Sequence, residues 1–179
     1  MEYELLGWPA DGATLELDYR RFSYAGKFVM SSTGKAVARD DGSIVAAVAF
    51  NEDRTDADTL WLRYVTVRED RRGEGIGPKL LSFTLARAAD REYGTVRIAV
   101  NNPFAFEAGY RAGFGFTGET TGLAELVLAW PGDRSTARYR AGLDRYRERD
   151  LSPEEEQFLE ARTDATPPAV VDAPSGDGL

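Results

Sequence analysis

The sequence predicts an α+β (α/β) domain, a mixed and mostly antiparallel sheet flanked by helices, and three observations carry that reading. Residues 34–50, GKAVARDDGSIVAAVAF, are two β-type runs around Asp41-Gly42, a dipeptide suited to a tight hairpin. Residues 59–93 pass from a β-branched and aromatic run, through a glycine-rich turn, into a segment of helical period. Residues 95–112 repeat the strand-to-helix change.

The elements follow in chain order. Tyr3, Leu5 and Leu6 give a short apolar start, and residues 8–12, WPADG, read as a turn. Residues 14–30 fit either a strand or a short helix around Tyr19 to Ala25, and both stay open. After the hairpin, residues 51–58 are a polar loop and residues 59–67, TLWLRYVTV, a central strand. A helix is expected from Gly77 to Tyr93, with Leu81, Leu85, Ala88 and Glu92 on one face and Gly94 as its stop. Residues 95–100 form a strand. Pro103 then opens a helix that ends near Ala112, before Gly113. FGFTGE and LAELVLAW read as a hairpin joined by residues 120–122.

Residues 136–150 form an Arg-rich helix candidate, and Ser152, Pro153 and Glu155 carry the N-cap, N1 and N3 signals of another helix. The Pro- and Ala-rich end cannot bury enough to order itself. The expected organisation is one domain over 1–131, charged helices over 132–163 and a flexible tail over 164–179.

Composition narrows the chemistry. With 179 residues, 42% hydrophobic and 29% charged, one real core is affordable and two are not. The chain has neither His nor Cys. A thiolate nucleophile, a Cys-type zinc site and the commonest general base are thereby excluded; a carboxylate-bound Mg or Ca ion stays open, but nothing resembles a D-x-D-x-D-G loop and no metal is expected. A net charge of −8 argues against a broad nucleic-acid surface. No apolar run suits a bilayer, and the acidic start is unlike a signal peptide, so a cytoplasmic protein with no membrane partner is expected. Only Lys27, Lys35 and Lys79 are lysines; an acidic, Lys-poor chain suits a salt-rich cytoplasm, and GC-rich coding produces the same bias.

The turn in VTVREDRRGEGIGPKLL, residues 65–81, is the feature with most chemical content. A strand, then Arg72-Gly73-Glu74-Gly75-Ile76-Gly77, then a helix directs backbone N–H groups outward at a helix N-terminus, a setting for phosphate. Arg68, Arg71 and Arg72 are expected to concentrate positive charge there. The letters fit neither G-x-x-x-x-G-K-[ST] nor a dinucleotide fingerprint, which needs Gly where Pro78 stands. A plain surface turn is the competing reading. In Asn102-Pro103-Phe104-Ala105-Phe106-Glu107-Ala108-Gly109-Tyr110, Asn102 reads as a ligand to a cofactor amide or as an N-cap. Tyr110 reads as a proton donor or as a packed helix aromatic.

Taken together, R-x-x-G-x-G after a strand, followed by N-x-x-A and then Y-x-x-G-F, resembles the GCN5-related N-acetyltransferases (GNAT), well over residues 44–130 and loosely over the first 40. The resemblance implies a GNAT-like fold and acetyl-CoA as co-substrate. It makes Val65, Val67, Arg72, Gly73, Gly75, Ile76, Gly77 and Asn102 cofactor-binding, with the turn on the pyrophosphate and Asn102 on the pantetheine arm. Tyr110 becomes the catalytic acid for the leaving thiolate. The chain departs from the family pattern in placing Tyr110 three residues before Gly113 and in shortening the helices after the first strand.

The implied activity is transfer of acetyl from acetyl-CoA to an amine on a small molecule or a protein, by direct attack in a ternary complex. Glu52, Asp53 and Glu119 stand at strand ends as carboxylates that could take the amine proton, or as solvated loop charges. The alternative class is a non-catalytic acyl-CoA-binding or interaction module.

Overall fold

The computed structural model describes residues 1–9 and 12–176, so part of the turn expected at 8–12 and the last three residues of the expected tail lie outside the described residues. The chain forms two compact units, residues 1–96 with the end of the chain from Asp172, and residues 97–171. The class is the expected one, a mixed, mostly antiparallel sheet of seven strands with four flanking α-helices among the described residues.

In the first unit β1 (Glu2–Gly7), β2 (Gly34–Asp40), β3 (Ser43–Glu52) and β4 (Thr59–Val67) are antiparallel neighbours in that order. The β2–β3 turn places Asp41 at φ 52 and Gly42 at φ 80. Two successive positive φ values are what a two-residue hairpin asks for, and Asp-Gly supplies them. β3 is buried continuously from Val45 to Phe50 because both of its faces are covered. On one face Ala47 and Ala49 pack with Leu15, Phe28 and Val37, with Tyr64 against that cluster. On the other lies α1 (Ile76–Asp90), where the Val67 side chain approaches Gly77.

Residues 14–30, left open by the sequence, are irregular apart from one 3₁₀ turn at Ala25–Lys27. The Leu15 N–H donates to the Phe28 carbonyl at 2.8 Å, and Phe28 is fully buried. Lys35 closes the far end from inside. Its ammonium donates to the Met30 carbonyl at 2.6 Å and to the carbonyl and hydroxyl of Thr33, both at 3.0 Å. All three donors are used, which is what makes a buried ammonium tolerable. Burial still depresses its pKa.

The expected stop of α1 is corrected. The helix ends at Asp90, and Glu92, at φ 70, is the left-handed residue beyond it. Glu92 N–H bonds the Ala89 carbonyl and Tyr93 N–H the Ala88 carbonyl, the paired closure of a Schellman motif. Glu92 therefore lies off the helical face to which its spacing assigned it. Gly94 serves a different purpose. Its N–H meets the Asp58 carbonyl at 3.0 Å, and a Cβ there would lie 2.1 Å from the Asp58 carboxylate.

The second unit contains β5 (Thr95–Val100), whose first two residues belong to the first unit, α2 (Pro103–Ala112), β6 (Gly115–Thr120), β7 (Leu126–Trp130), α3 (Thr136–Arg147) and α4 (Pro153–Glu160). Its strand order is β5-β7-β6. β7 starts later than the alternation suggested, because the Thr121 hydroxyl accepts from the N–H groups of Leu123 and Glu125 and holds 121–125 as a loop. Ser152 and Glu155 form the expected reciprocal capping box of α4. Phe106, Tyr110, Phe116, Tyr139 and Tyr146 build an aromatic core.

Residues 165–176 take no helix or strand, and part of this stretch is tied down. The carbonyls of Asp164, Ala165 and Pro168 accept from Arg140 and Arg134, and the Val171 N–H donates to the Arg111 carbonyl at 2.8 Å.

Candidate active site

The glycine-rich turn connects β4 to α1 within the first unit. Arg68 N–H donates to the Val45 carbonyl at 2.8 Å, while Val67 stands opposite Ala46 and Val65 opposite Val48. In an antiparallel ladder bonded and non-bonded pairs alternate, so Val65 and Val67 direct their N–H and C=O groups to the edge of β4 away from β3. On that edge the Val67 carbonyl accepts from Arg72 Nε at 3.3 Å.

A short 3₁₀ turn, Glu69–Arg71, lifts the chain off the strand. Gly73 at φ 82 and Gly75 at φ 81 then reverse it into α1, using backbone angles that L-residues rarely adopt. Gly75 is the N-cap residue and provides no side-chain cap, so among the described residues the first N–H groups of a 15-residue helix have no side-chain acceptor. An uncapped N-terminus of this length carries the partial positive charge of the helix dipole.

Gly77 is informative for a different reason. Its φ lies outside the left-handed range, and among the described residues a Cβ there would meet only the Val67 side chain, at an ordinary 3.5 Å. Neither backbone angle nor crowding within the first unit requires glycine, which in a helix is disfavoured by about 1 kcal/mol relative to Ala. The bare position leaves room for a ligand against the first turn. Gly73, likewise, has open space around its Cβ direction.

The electrostatics differ from the expected cluster of three positive charges. Arg68 holds Asp70 through two bonds, at 2.6 and 3.1 Å. Arg71 bridges Asp40 at 2.8 Å and Glu74 at 3.0 Å, and Arg21 reaches Asp70 at 3.2 Å. These guanidinium groups hold the Asp40 and Asp70 carboxyls below their ordinary pKa. Arg68 and Arg71 are thus neutralised at close range. Arg72 alone among the turn's arginines has no carboxylate within ion-pair distance among the described residues; it donates to the Val67 carbonyl and, at 3.1 Å, to the Ser23 hydroxyl. Unlike a paired arginine, it can receive an anion without breaking an ion pair.

Val65, Val67, Arg72, Gly73, Gly75, Ile76 and Gly77 therefore come together on one strand end and one helix start. Asn102 and Tyr110 belong to the second unit. Asn102 is the N-cap of α2, its Oδ1 accepting from Ala105 N–H at 2.8 Å and its Nδ2 donating to Asn101 at 3.1 Å. Tyr110 is fully buried, and its hydroxyl oxygen accepts from Phe116 N–H at 2.8 Å. Its ring packs on Phe106 and Tyr139, with the Arg134 guanidinium 5.0 Å from its centroid. Burial raises its pKa, so the phenol stays protonated well into the alkaline range.

The three strand-end carboxylates all have partners. Glu52 accepts from the Tyr93 hydroxyl at 2.8 Å, and Glu119 lies 3.4 Å from Arg97. Asp53 accepts from the Thr55 backbone N–H and hydroxyl and from the Trp61 indole, which hold its carboxyl at about 2. Such a carboxylate is a weak base. Sequence reasoning missed Ser23, whose contact with Arg72 spans 49 residues, and the neutralising role of Asp40 and Asp70. No local pattern carries either. Among the described residues, no group of His, Cys, Asp and Glu could hold a metal ion, and no helix is long and apolar enough to cross a membrane.

No curated protein matches this chain significantly. Among solved structures, it is similar to an N-acetyltransferase from Staphylococcus aureus Mu50, at 21% identity over 54% of this chain and 64% of that one, with a TM-score of 0.47. It is also similar to yncA from Salmonella typhimurium with its cofactor acetyl-CoA, at 16% identity over 54% and 63% of the two chains, with a TM-score of 0.49. A third is the paiA N-acetyltransferase from Thermoplasma acidophilum in complex with coenzyme A, at 18% identity over 53% and 58%, with a TM-score of 0.46. This chain thus spans less than two thirds of the length of each. The family model described as acetyltransferase (GNAT) matches residues 3–116, more than half of the sequence, and the chain belongs to that family.

Proposed function

We propose that this protein transfers an acetyl group from acetyl-CoA to an amine acceptor, a small molecule or a protein, by direct attack in a ternary complex in the cytoplasm. The observation that carries the reading is the turn itself: among the described residues, an uncapped helix start, two left-handed glycines, a bare Gly77 and one arginine without an acidic partner. That combination suits a diphosphate better than it suits a mere reversal of the chain.

In this reading Arg72 and the N–H groups of residues 73–77 hold the pyrophosphate of acetyl-CoA, which brings the activated acetyl group. An N–H on the edge of β4 away from β3, from Val65 or Val67, polarises the carbonyl under attack. Asn102 serves the pantetheine arm from the start of α2, with the capping bond of its Oδ1 leaving its Nδ2 as the donor. The amine nitrogen bonds to the acetyl carbon as the bond to sulfur breaks, and the amine proton leaves to a carboxylate or to water. With no Cys in the chain there is no acyl-cysteine route.

Tyr110 is proposed as the acid for the thiolate. Its hydroxyl keeps its own proton while accepting from Phe116, and the demand on it is small because a thiol of pKa about 8.5 is a fair leaving group. The second reading, an acyl-CoA-binding module without chemistry, draws support from the same residue, whose full burial suits a core tyrosine. Purified protein with acetyl-CoA and a panel of amines, followed by release of free thiol, separates the two. Turnover with any amine supports transfer; CoA binding with no thiol release across the panel supports the module.

A further inference from the structure

We infer that Tyr64 and Tyr24 form a binding face for the cationic head of an alkylamine, and that the Lys27 ammonium occupies this face when no such ligand is bound. The inference deepens the acetyltransferase reading and rests on it for what becomes of the amine, though not for its binding.

Three observations converge on Tyr64. It is the β4 residue opposite Ala49, just after a bulge at Arg63, and the small side chains of Ala47 and Ala49 let its ring lie over their face. The ring is half-buried, with the Tyr24 ring 5.8 Å away at 44°. The ammonium of Lys27 stands 5.6 Å from the Tyr64 centroid, within reach of the ring quadrupole. Among the described residues Lys27 has no carboxylate within ion-pair distance. The ring is its only electrostatic partner there.

Tyr24 adopts φ 60 and ψ 20, a left-handed conformation that disfavours a residue with a Cβ by roughly 1–2 kcal/mol. Burial does not explain why an aromatic is kept there, since the residue is 52% exposed. What the conformation achieves is the placement of a second ring beside Tyr64. The preceding turn is fastened to the diphosphate cradle, with Glu69 N–H on the Arg21 carbonyl at 2.9 Å, Arg21 on Asp70 and Ser23 on Arg72. Tyr64 directly precedes Val65, so the aromatic face and the strand edge assigned to the thioester adjoin along β4.

The ligand class follows from the resident. Lys27 presents a primary ammonium on an unbranched chain, and selection by aromatic rings requires a cation without requiring an acidic partner. A slim alkylammonium fits; a neutral alcohol of the same length does not.

The test is a titration of the purified protein with n-butylammonium chloride, and with n-butanol as the neutral control, read by upfield shifts of the alkyl protons in 1H NMR. Lys27→Met removes the resident charge while keeping the stem, and is expected to tighten butylammonium binding two- to fivefold. Tyr64→Phe in that background is expected to keep the binding, and Tyr64→Leu to abolish it. Butanol is expected to show no saturable shift. The inference is overturned if Lys27→Met binds butylammonium no better than the parent, or if Lys27→Met/Tyr64→Leu binds it as well as Lys27→Met. CoA affinity, measured on each variant, reports a folded first unit. Failure to find turnover with any amine would overturn the transferase reading and leave this binding result standing.

Discussion

Arg72 donates its guanidinium to the hydroxyl of Ser23 at 3.1 Å, and in doing so it stays clear of every acidic side chain that neutralises its neighbours. Among the described residues, one uncompensated cation thus stands beside an uncapped helix start. Hydrogen bonds to charged groups are worth about 1.5–3 kcal/mol, so Arg72→Ala should weaken CoA binding by about 10- to 100-fold. Arg68→Ala, which removes a charge already held by Asp70, should change it by less than about threefold. Isothermal titration of both variants with CoA makes the comparison, and equal losses would contradict the assignment of Arg72.

Gly77→Ala should separate stability from binding. Its Cβ meets only Val67, at 3.5 Å, so the ligand-free protein should gain up to about 1 kcal/mol in helix propensity and melt about 2–4 °C higher. In the proposed binding mode the same methyl group stands where the ligand approaches the first turn, so CoA affinity should fall. A variant more stable and equally tight would mean that nothing approaches Gly77.

Much of this was legible because the signals were local. Asp41-Gly42, the strand at 59–67, the Pro103 helix start and the Ser152 capping box each reside in a few adjacent residues whose backbone demands match their types. The glycine-rich turn from β4 into α1 was legible for the same reason. What was not legible depends on partners distant in sequence. Asp40, 31 residues from Arg71, decides that Arg71 is not free, and the Asp58 carboxylate decides that Gly94 is a packing glycine. Residues 14–30 were ambiguous because they form almost no regular structure; their place is set by burial of Phe28 and by the Lys35 ammonium.

Glu92 carries a left-handed conformation, at φ 70, that the sequence assigned to a glycine two residues later. Glu92→Gly should relieve it and stabilise the protein by about 1 kcal/mol, raising Tm by about 2–4 °C. Gly94→Ala should do the opposite, because its Cβ would enter the Asp58 carboxylate. Thermal melts of the two variants should move in opposite directions.

The Asp53 carboxylate ties the end of β3 to Trp61 of β4 at 2.7 Å, and its pKa of about 2 lies below the ordinary carboxylate value. A carboxylate with a depressed folded pKa contributes stability above its unfolded pKa, near 3.9, and loses it as pH falls through the folded value. Trp61 reports this directly. The Asp53-dependent part of the tryptophan fluorescence should change with a midpoint near 2, and Asp53→Asn should remove that part. A midpoint near 4 would mean that the Thr55 and Trp61 bonds do not hold in solution.

Tyr110→Phe distinguishes an acid from a core residue. Losing the hydroxyl strands the buried Phe116 N–H, so stability should drop by about 1–3 kcal/mol in either case. If Tyr110 also protonates the thiolate, turnover at a temperature where the variant is fully folded should fall while the KM for acetyl-CoA holds. Because burial raises the Tyr110 pKa, the parent protein should keep its activity past the pH at which an ordinary tyrosine ionises before an alkaline limb appears, and the variant should lack that limb. The thiol's own pKa predicts a further difference: a donor matters most when the departing sulfur is most basic. A thioester of a more acidic thiol should therefore narrow the gap between parent and variant. A gap that persists unchanged, with the stability loss intact, assigns Tyr110 to the packing of α2 alone.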